Sequence, residues 1–194
     1  MPSDPLILGF DTSAAHCAAA LLSGDEVLAL RCEEMARGQA ERLMPLLEEV
    51  LAEAGQGWRD LSAIGVGTGP GNFTGLRIAV SAARGLALGL GVPAVGVSGC
   101  AARRFLAPGA PCGIPAPRGT LYLCGEGDAL PRQIAASDAP TETWAEASPP
   151  RLAEAIARIA GERWRDNPPL PAPLYVRPAD AAPARDAPPV ILDP

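Results

Sequence analysis

The sequence contains no lysine, and all sixteen of its basic residues are arginine. A Walker A phosphate loop needs a lysine to reach the phosphates, and a Schiff-base enzyme needs one as its nucleophile. The absence of lysine therefore excludes both classes, together with any mechanism that uses a lysine general base.

Histidine is almost as scarce, because His16 is the only one in the 194 residues. No metal site with two histidine ligands and no metalloprotease motif can be built from this chain. We therefore expect no metal and no cofactor. His16 as a general base, or Cys17 or Cys32 as a nucleophile, is a weaker interpretation than a structural role, since nothing in the sequence places an acid beside His16.

The five cysteines are odd in number, scattered, and never spaced C-x-x-C. This pattern argues against a zinc site or a disulfide framework and favours small buried thiols. No apolar run approaches the length of a membrane span, and no N-terminal stretch has the pattern of a signal peptide. The sequence thus predicts a soluble, cytoplasmic protein. Its net charge of −6 argues against binding nucleic acid alone.

The most distinctive stretch that is present reads GVGTGPGNFTGLR, at residues 65–77. A short apolar strand pattern precedes it and a small-residue helix pattern follows. A strand, a glycine-rich turn and a helix start are typical of α/β proteins. The turn can cradle a phosphate on its N–H groups, or serve only the geometry of the chain.

Residues 6–13, 17–22 and 27–31 read as three consecutive antiparallel strands, with Gly24 in the second turn. Residues 33–54 read as a helix that contains Pro45, and residues 74–90 as a second helix. The second is apolar nearly all round, so we expect it to be buried on more than one side. A strand at 92–97 would pair in parallel with the strand before it.

The composition changes near Phe105, because seventeen of the 22 prolines follow it and fifteen of the 21 glycines precede it. We place a boundary there, between a lobe of residues 1–104 and a smaller lobe of residues 105–194 with a Pro/Ala-rich tail. Within the second lobe, residues 120–124 read as a short strand and residues 151–163 as a helix. Residues after Ala181 read as an extended arm.

Four segments together resemble the TsaB (YeaZ) family of the bacterial machinery that makes threonylcarbamoyladenosine next to the tRNA anticodon. They are ILGFDTS-x-x-x-C-x-x-A-L, ERLMPLLEEVL, GTGPGNFTGLRIAVSAARGLALGLGVPAVGVS and PLYVRPADA. The resemblance covers residues 6–98 and returns at residues 173–181. It implies the actin-like/Hsp70-like (ASKHA) α/β fold, with two lobes of mixed sheet flanked by helices and a shortened second lobe.

The resemblance also implies a role as the non-catalytic partner of the paralogue TsaD, with the ATPase TsaE as a third component. The paralogue carries two metal-binding histidines on its first helix, and residues 37–42 here have none. The family's second-lobe pattern Asp-Ala-Arg-x-x-Glu-Val-Tyr is replaced by PAPRGTLY at residues 115–122, which puts a ligand role of that lobe in doubt. Contact with tRNA is expected only through the complex.

The family packs its two N-lobe helices against those of the partner. An exposed apolar helix face should not stay bare, so the isolated chain is also expected to form a symmetric dimer. Packing into the core of the chain itself remains the alternative interpretation for the apolar residues of both helices. The residues predicted at the interface are Leu43, Leu46, Leu47, Val50, Leu76, Ile78, Val80, Ala82, Ala83, Gly85, Ala87 and Gly89.

Asp11 follows the first strand, where actin-like ATPases place a carboxylate near the metal of a bound nucleotide. The competing interpretation is that Asp11 and Thr12 only cap a turn. The alternative function is therefore a stand-alone nucleotide-binding enzyme of the actin-like fold that uses Asp11 and the Gly69–Gly75 turn. The candidate nucleotide-binding residues are Asp11, Thr12, Gly69 and Gly71.

Overall fold

Five strands from the first half of the chain form one sheet in the computed structural model, which describes residues 4–127, 129–142 and 147–176. The strands are β1 (Leu6–Asp11), β2 (His16–Ser23), β3 (Glu26–Glu34), β4 (Ala63–Gly67) and β5 (Ala94–Val97). They lie in the order β3-β2-β1-β4-β5. The pairs among β1, β2 and β3 are antiparallel, whereas β1, β4 and β5 are parallel. The predicted antiparallel opening and the parallel strand–helix–strand unit are both confirmed.

Two helices, α1 (Gln39–Glu53) and α2 (Phe73–Leu90), cover one face of this sheet. The predicted start of the first helix at residue 33 is wrong. Strand β3 continues through Glu34, and Gly38 adopts a left-handed φ of 93° immediately before the helix begins. Pro45 lies inside α1 without ending it.

Helix α3 (Gly99–Leu106), which the sequence did not predict, and helix α4 (Pro149–Arg163) pack on the opposite face of the sheet. Every residue of β1 is buried, because helices cover both of its faces. This explains why β1 and β4 read as continuous apolar runs rather than as alternating ones.

Two glycines in the central strands allow α4 to lie directly on the sheet. A Cβ atom at Gly9 would come within 2.6 Å of the Ala157 nitrogen, and one at Gly65 within 2.8 Å of the Ala160 Cβ. Real Cβ atoms do not approach other atoms so closely, so the helix backbone occupies the space that side chains would need. Helix α4, although remote in sequence, therefore packs directly on the face of the first sheet.

A second sheet consists of β6 (Gly113–Ala116), β7 (Thr120–Leu123) and β8 (Arg132–Ala135), in that order. Both of its pairs are antiparallel, so the expectation of a mixed sheet in the second lobe is wrong for the described residues. Its strands are four residues each and follow one another through short connections, which cannot make a parallel crossover. The predicted strand near residue 120 and the helix ending at Arg163 are confirmed.

The cysteines differ from the expectation of separate buried thiols. Cys100 and Cys124 form a disulfide between α3 and the end of β7, while Cys17 and Cys112 are buried free thiols and Cys32 is half-buried. The pairing was missed because the two residues are 24 positions apart and only the packing of α3 brings them together.

The prediction that no apolar run approaches the length of a membrane span is wrong for helix α2. Its 18 residues meet that requirement by length and composition, although the core helix of a soluble protein meets it equally. Only 33% of the helix is buried within the chain. The predicted arm after residue 181 lies outside the described residues, as does the end of the PLYVRPADA segment from Arg177 onward.

Candidate functional site

The glycine-rich turn between β4 and α2 is held by hydrogen bonds to two other segments and by one internal cap. The Asn72 N–H donates to the Ser13 carbonyl over 2.6 Å, and the Gly99 N–H donates to the Gly69 carbonyl over 2.7 Å. The Asn72 side chain accepts from the Gly75 N–H over 2.9 Å and so caps α2. The turn is therefore fixed by internal contacts, and the N–H groups of Asn72 and Gly75 are already engaged.

Thr12 packs against the first turn of α2. Its hydroxyl donates to the Gly75 carbonyl over 2.8 Å, and a Cβ atom at Gly75 would collide with the Thr12 carbonyl oxygen. Only glycine permits this approach. The contact between Thr12 and Gly75 thus holds the tip of the first hairpin against the start of α2.

A late segment of the chain lies over the same helix start. The Leu174 N–H donates to the Thr68 carbonyl over 2.8 Å. The Tyr175 ring lies 5.1 Å from the Phe73 ring, and the Arg77 Nε donates to the Tyr175 hydroxyl over 3.0 Å. Two of the motifs that suggested a family, GPGNFTGLR and PLYV, therefore meet in space.

Asp11 and His16 form a buried pair that the sequence did not reveal. One carboxylate oxygen, Oδ2, lies 2.7 Å from His16 Nε2 and accepts hydrogen bonds from the Ser13 hydroxyl and N–H over 2.7 and 3.2 Å. Nothing in the sequence was taken to place an acid beside His16, and the structure corrects that interpretation with Asp11. The signal was available in the hairpin, since Asp11 ends β1 and His16 begins β2 across a four-residue tip.

The arrangement does not form a nucleophilic triad, because the Ser13 hydroxyl bonds to the carboxylate and not to the imidazole. Burial alone would raise the pKa of Asp11, but the hydrogen bonds from His16 and Ser13 and the charge of His16 lower it below its ordinary value of 3.8. The carboxylate is thus ionised at neutral pH and satisfied by its own chain. Its hydrogen bonds fix the hairpin tip, and the Ser13 carbonyl and Thr12 hydroxyl of that tip bond to the turn and to the start of α2.

A cavity of about 870 Å³ lies beside this pair, between the hairpin tip, α3, the second sheet and the start of α4. Of the four residues considered for nucleotide binding, only Gly71 is among the described residues that line it, and Asp11, Thr12 and Gly69 are not. Within the described residues there is no cluster of three His, Cys, Asp or Glu side chains that could hold a metal.

The twelve predicted interface residues divide into two groups. Eight of them are buried in the core of the chain itself, so their side chains are not available to a partner. These eight are Leu43, Leu46, Leu47, Val50, Leu76, Val80, Ala83 and Ala87. Ile78 and Ala82 are half-buried, and Gly85 and Gly89 are exposed.

The exposed side of α2 is named here the α2 face, and it comprises Ile78, Ser81, Ala82, Arg84, Gly85, Leu88 and Gly89. Leu88 is 86% exposed, although the sequence analysis did not include it. A Cβ atom at Gly85 or Gly89 would meet no atom of the described residues within 4 Å. The packing of the described part of the chain therefore gives no reason for glycine at either position.

Comparison with known proteins gives three kinds of match. Residues 31–109 match the family model of TsaD, tRNA N6-adenosine threonylcarbamoyltransferase. The chain is 39% identical over 92 residues to the Escherichia coli protein named tRNA threonylcarbamoyladenosine biosynthesis protein TsaB. That match covers 47% of this chain but only 39% of the E. coli protein.

Two further relatives match nearly the whole chain. An uncharacterised protein of Mycobacterium tuberculosis is 31% identical over 198 residues, covering 91% of this chain and 94% of the relative. The crystal structure of a Pseudomonas aeruginosa protein described as similar to peptidase YEAZ superposes with a TM-score of 0.70 and 27% identity, over 89% of this chain and 100% of that one. The fold is the ASKHA type, and the chain belongs to the TsaB (YeaZ) family.

Proposed function

We propose that this chain is a non-catalytic scaffold subunit that binds the catalytic paralogue TsaD in the cytoplasm and supports threonylcarbamoylation of the adenosine next to the tRNA anticodon. The names of the TsaB relatives support the pathway, although the E. coli protein is matched over only 39% of its length. TsaE is the expected third component. With a net charge of −6, the chain is expected to meet tRNA only within the assembly.

The observation that carries the proposal is the α2 face. A glycine inside a helix is less favourable than alanine by about 1 kcal/mol, and no contact among the described residues requires glycine at position 85 or 89. Small residues on a helix surface let a second helix approach closely. Small residues recur at every fourth position of α2, at Ser81, Gly85 and Gly89, and the exposed Leu88 lies beside them. This surface suits packing against a helix of a partner.

The chemistry near Asp11 supports a role other than catalysis. Its Oδ2 is saturated by His16 and Ser13, and Oδ1 lies against Gly67. A carboxylate held in this way is poorly placed to bind a metal–nucleotide complex. We therefore assign Asp11 to the architecture that holds α2.

Deletion of the gene in its source organism is expected to remove threonylcarbamoyladenosine from tRNA, and the intact chain is expected to restore it. Mass spectrometry of tRNA nucleosides measures the modification directly. Arg84→Glu together with Gly85→Arg should fail to restore it, because both changes alter the α2 face without touching the core.

Unchanged modification in the deletion strain would contradict the proposed pathway. ATP hydrolysis by the purified chain, lost in Asp11→Asn, would instead favour the alternative of a stand-alone nucleotide-binding enzyme.

The isolated chain is expected to be a symmetric dimer, because an exposed apolar helix face should not stay bare in water and a second copy of the α2 face would cover it. Sedimentation velocity at micromolar concentration should give a dimer for the intact chain and a monomer for Leu88→Asp. Val80 is unsuitable for this test, since it is only 3% exposed and a charge there would disturb the core. A strictly monomeric intact chain would contradict this prediction.

A further inference from the structure

The disulfide between Cys100 and Cys124 joins two parts of the chain that border the cavity. Cys100 lies in the first turn of α3, and Cys124 directly follows β7 of the second sheet. Ile114 and Tyr122 of that sheet line the cavity, as does Arg103 of α3. The disulfide therefore fastens the second sheet, which forms part of the cavity wall, to α3.

The two halves of this disulfide differ in their access to solvent. Cys100 is only 4% exposed, whereas Cys124 is half-buried and stands two residues before the exposed Glu126. The free thiol of Cys112 is buried, and the Cys112 carbonyl accepts from the Cys124 N–H over 2.9 Å. Burial raises the pKa of Cys112, so this neighbouring thiol stays protonated at neutral pH. The disulfide is therefore open to an external thiolate at Cys124.

Cys100 is placed to leave as a thiolate. It is the second residue of α3, where a helix has N–H groups without intrahelical acceptors and a partial positive charge. Arg103 and Arg104 follow it within about one turn, and α3 contains no Asp or Glu. A thiolate near a helix N-terminus and basic side chains is stabilised, and a disulfide breaks more readily when its leaving thiolate is stable.

The second sheet also has contacts with α3 that do not depend on the disulfide. Arg104 donates to the carbonyls of Gly125 and Gly127 over 2.9 and 2.7 Å. A Cβ atom at Gly99 would come within 2.9 Å of the Ile114 Cδ1, so the sheet packs closely on the start of α3. We therefore expect cleavage of the disulfide to loosen the second sheet without unfolding the chain.

We propose that the Cys100–Cys124 disulfide is a reversible exchange site for low-molecular-weight thiols, and that its state sets how firmly the second sheet is held against α3. The thiolate of the small thiol attacks the Cys124 sulfur and forms a mixed disulfide with it. The electrons of the broken S–S bond leave with the Cys100 sulfur, which becomes a thiolate and takes up a proton.

A second molecule of the thiol completes the reduction. It attacks the small-thiol sulfur of the mixed disulfide, which releases Cys124 as a thiol and forms a disulfide of the two small molecules. In sum, one protein disulfide is reduced to two thiols, and two small thiols are oxidised to one disulfide. The reverse sequence, started by the oxidised small molecule, restores the bond.

Disulfides are rare in a reducing cytoplasm, and those found there are usually transient, catalytic or redox-sensing. The inference rests on the proposed function only for this cytoplasmic setting. Its test uses the purified full chain without TsaD or tRNA, so a failure of thiol exchange would leave the proposed function intact. A failure to bind TsaD would likewise leave the exchange site intact.

Incubation of the oxidised chain with excess reduced glutathione under native conditions tests the chemistry. Acid quenching, alkylation in denaturant and peptide mass spectrometry then identify each cysteine. We expect alkylated thiols to rise from three to five, with glutathione trapped on Cys124 in the early samples. A disulfide that stays intact in the folded chain, or glutathione found first on Cys100, would overturn the proposal.

Hydrogen–deuterium exchange tests the consequence for the second sheet. Residues 113–135 should exchange at least about tenfold faster in the reduced chain and in Cys124→Ser than in the oxidised chain, because cleavage reopens a loop that the disulfide closed. The first sheet should be unchanged. Cys112→Ser is the matched control, because it removes a neighbouring thiol but leaves the disulfide, and its second sheet should respond to glutathione as the intact chain does. Equal exchange in the oxidised and reduced chains would overturn the proposal.

Discussion

Replacing Leu88 with arginine is expected to weaken binding of the chain to TsaD by at least about 100-fold, or about 2.7 kcal/mol. Leu88 is 86% exposed and stands beside Gly85 and Gly89 on the α2 face. In the proposed complex a partner helix would cover it, and an arginine there would be an unpaired charge removed from water. Isothermal titration with TsaD from the same organism measures the loss.

Leu130→Arg is the matched control, because it makes the same substitution at a leucine that is 71% exposed in the second lobe. It should bind TsaD as the intact chain does. Gly85→Arg should weaken binding as Leu88→Arg does while leaving the thermal stability unchanged or raised, since a side chain at position 85 meets no described residue and glycine is an unfavourable helix residue. Equal affinities for Leu88→Arg and Leu130→Arg would remove the α2 face from the interface.

Replacing Asp11 with alanine is expected to lower the free energy of unfolding at pH 7 by about 3–5 kcal/mol, because His16 Nε2 and the Ser13 hydroxyl and N–H lose their shared charged acceptor. Asp11 and His16 are 3% and 4% exposed, so neither group can turn to solvent for a replacement bond. Urea denaturation measures the change. Ser13→Ala removes only one hydroxyl hydrogen bond to the same carboxylate and should cost about 1 kcal/mol.

The stability difference between the intact chain and Asp11→Ala depends on pH, and its direction follows from the direction in which folding shifts the pKa of Asp11. Because folding lowers the pKa of Asp11 below 3.8, the unfolded chain binds this proton more tightly than the folded chain does. The stabilisation is therefore complete at pH values well above 3.8 and is lost as the pH falls through the lower pKa of the folded state. The difference in the free energy of unfolding between the intact chain and Asp11→Ala should become smaller in that acid range. A gap that stays constant from neutral to strongly acidic pH would contradict the assignment of an ionised carboxylate.

The first sheet was largely predictable because its strands carry local signals. Buried runs such as LILGF, the Gly24 turn and the crossover through α2 depend on hydrophobic pattern and turn chemistry, which the sequence displays directly. Helix α3 was missed because it has only eight residues, two of them arginine, and follows directly on β5. Its position depends on packing against α4, which is remote in sequence.

The candidate sites were less predictable, for a physical reason. Helix α2 is apolar on most sides, so its pattern could not separate residues that face the sheet, such as Val80 and Ala83, from residues left outside, such as Gly85. Leu88 was overlooked because an exposed leucine and a buried one look alike in a sequence. The Asp11–His16 pair required the hairpin register, and the cavity required the second sheet to be placed against α3 and α4.

Hydrogen–deuterium exchange of the chain with and without TsaD tests the proposed role most directly, because it reports which backbone segments the partner covers. We predict that saturating TsaD slows exchange in the exposed turns of α2 from residue 78 to residue 89 and leaves α4 unchanged. Protection confined to α4 or to the second sheet, or no protection at concentrations where tRNA is modified, would contradict the proposal that the chain acts by presenting its α2 face to the catalytic subunit.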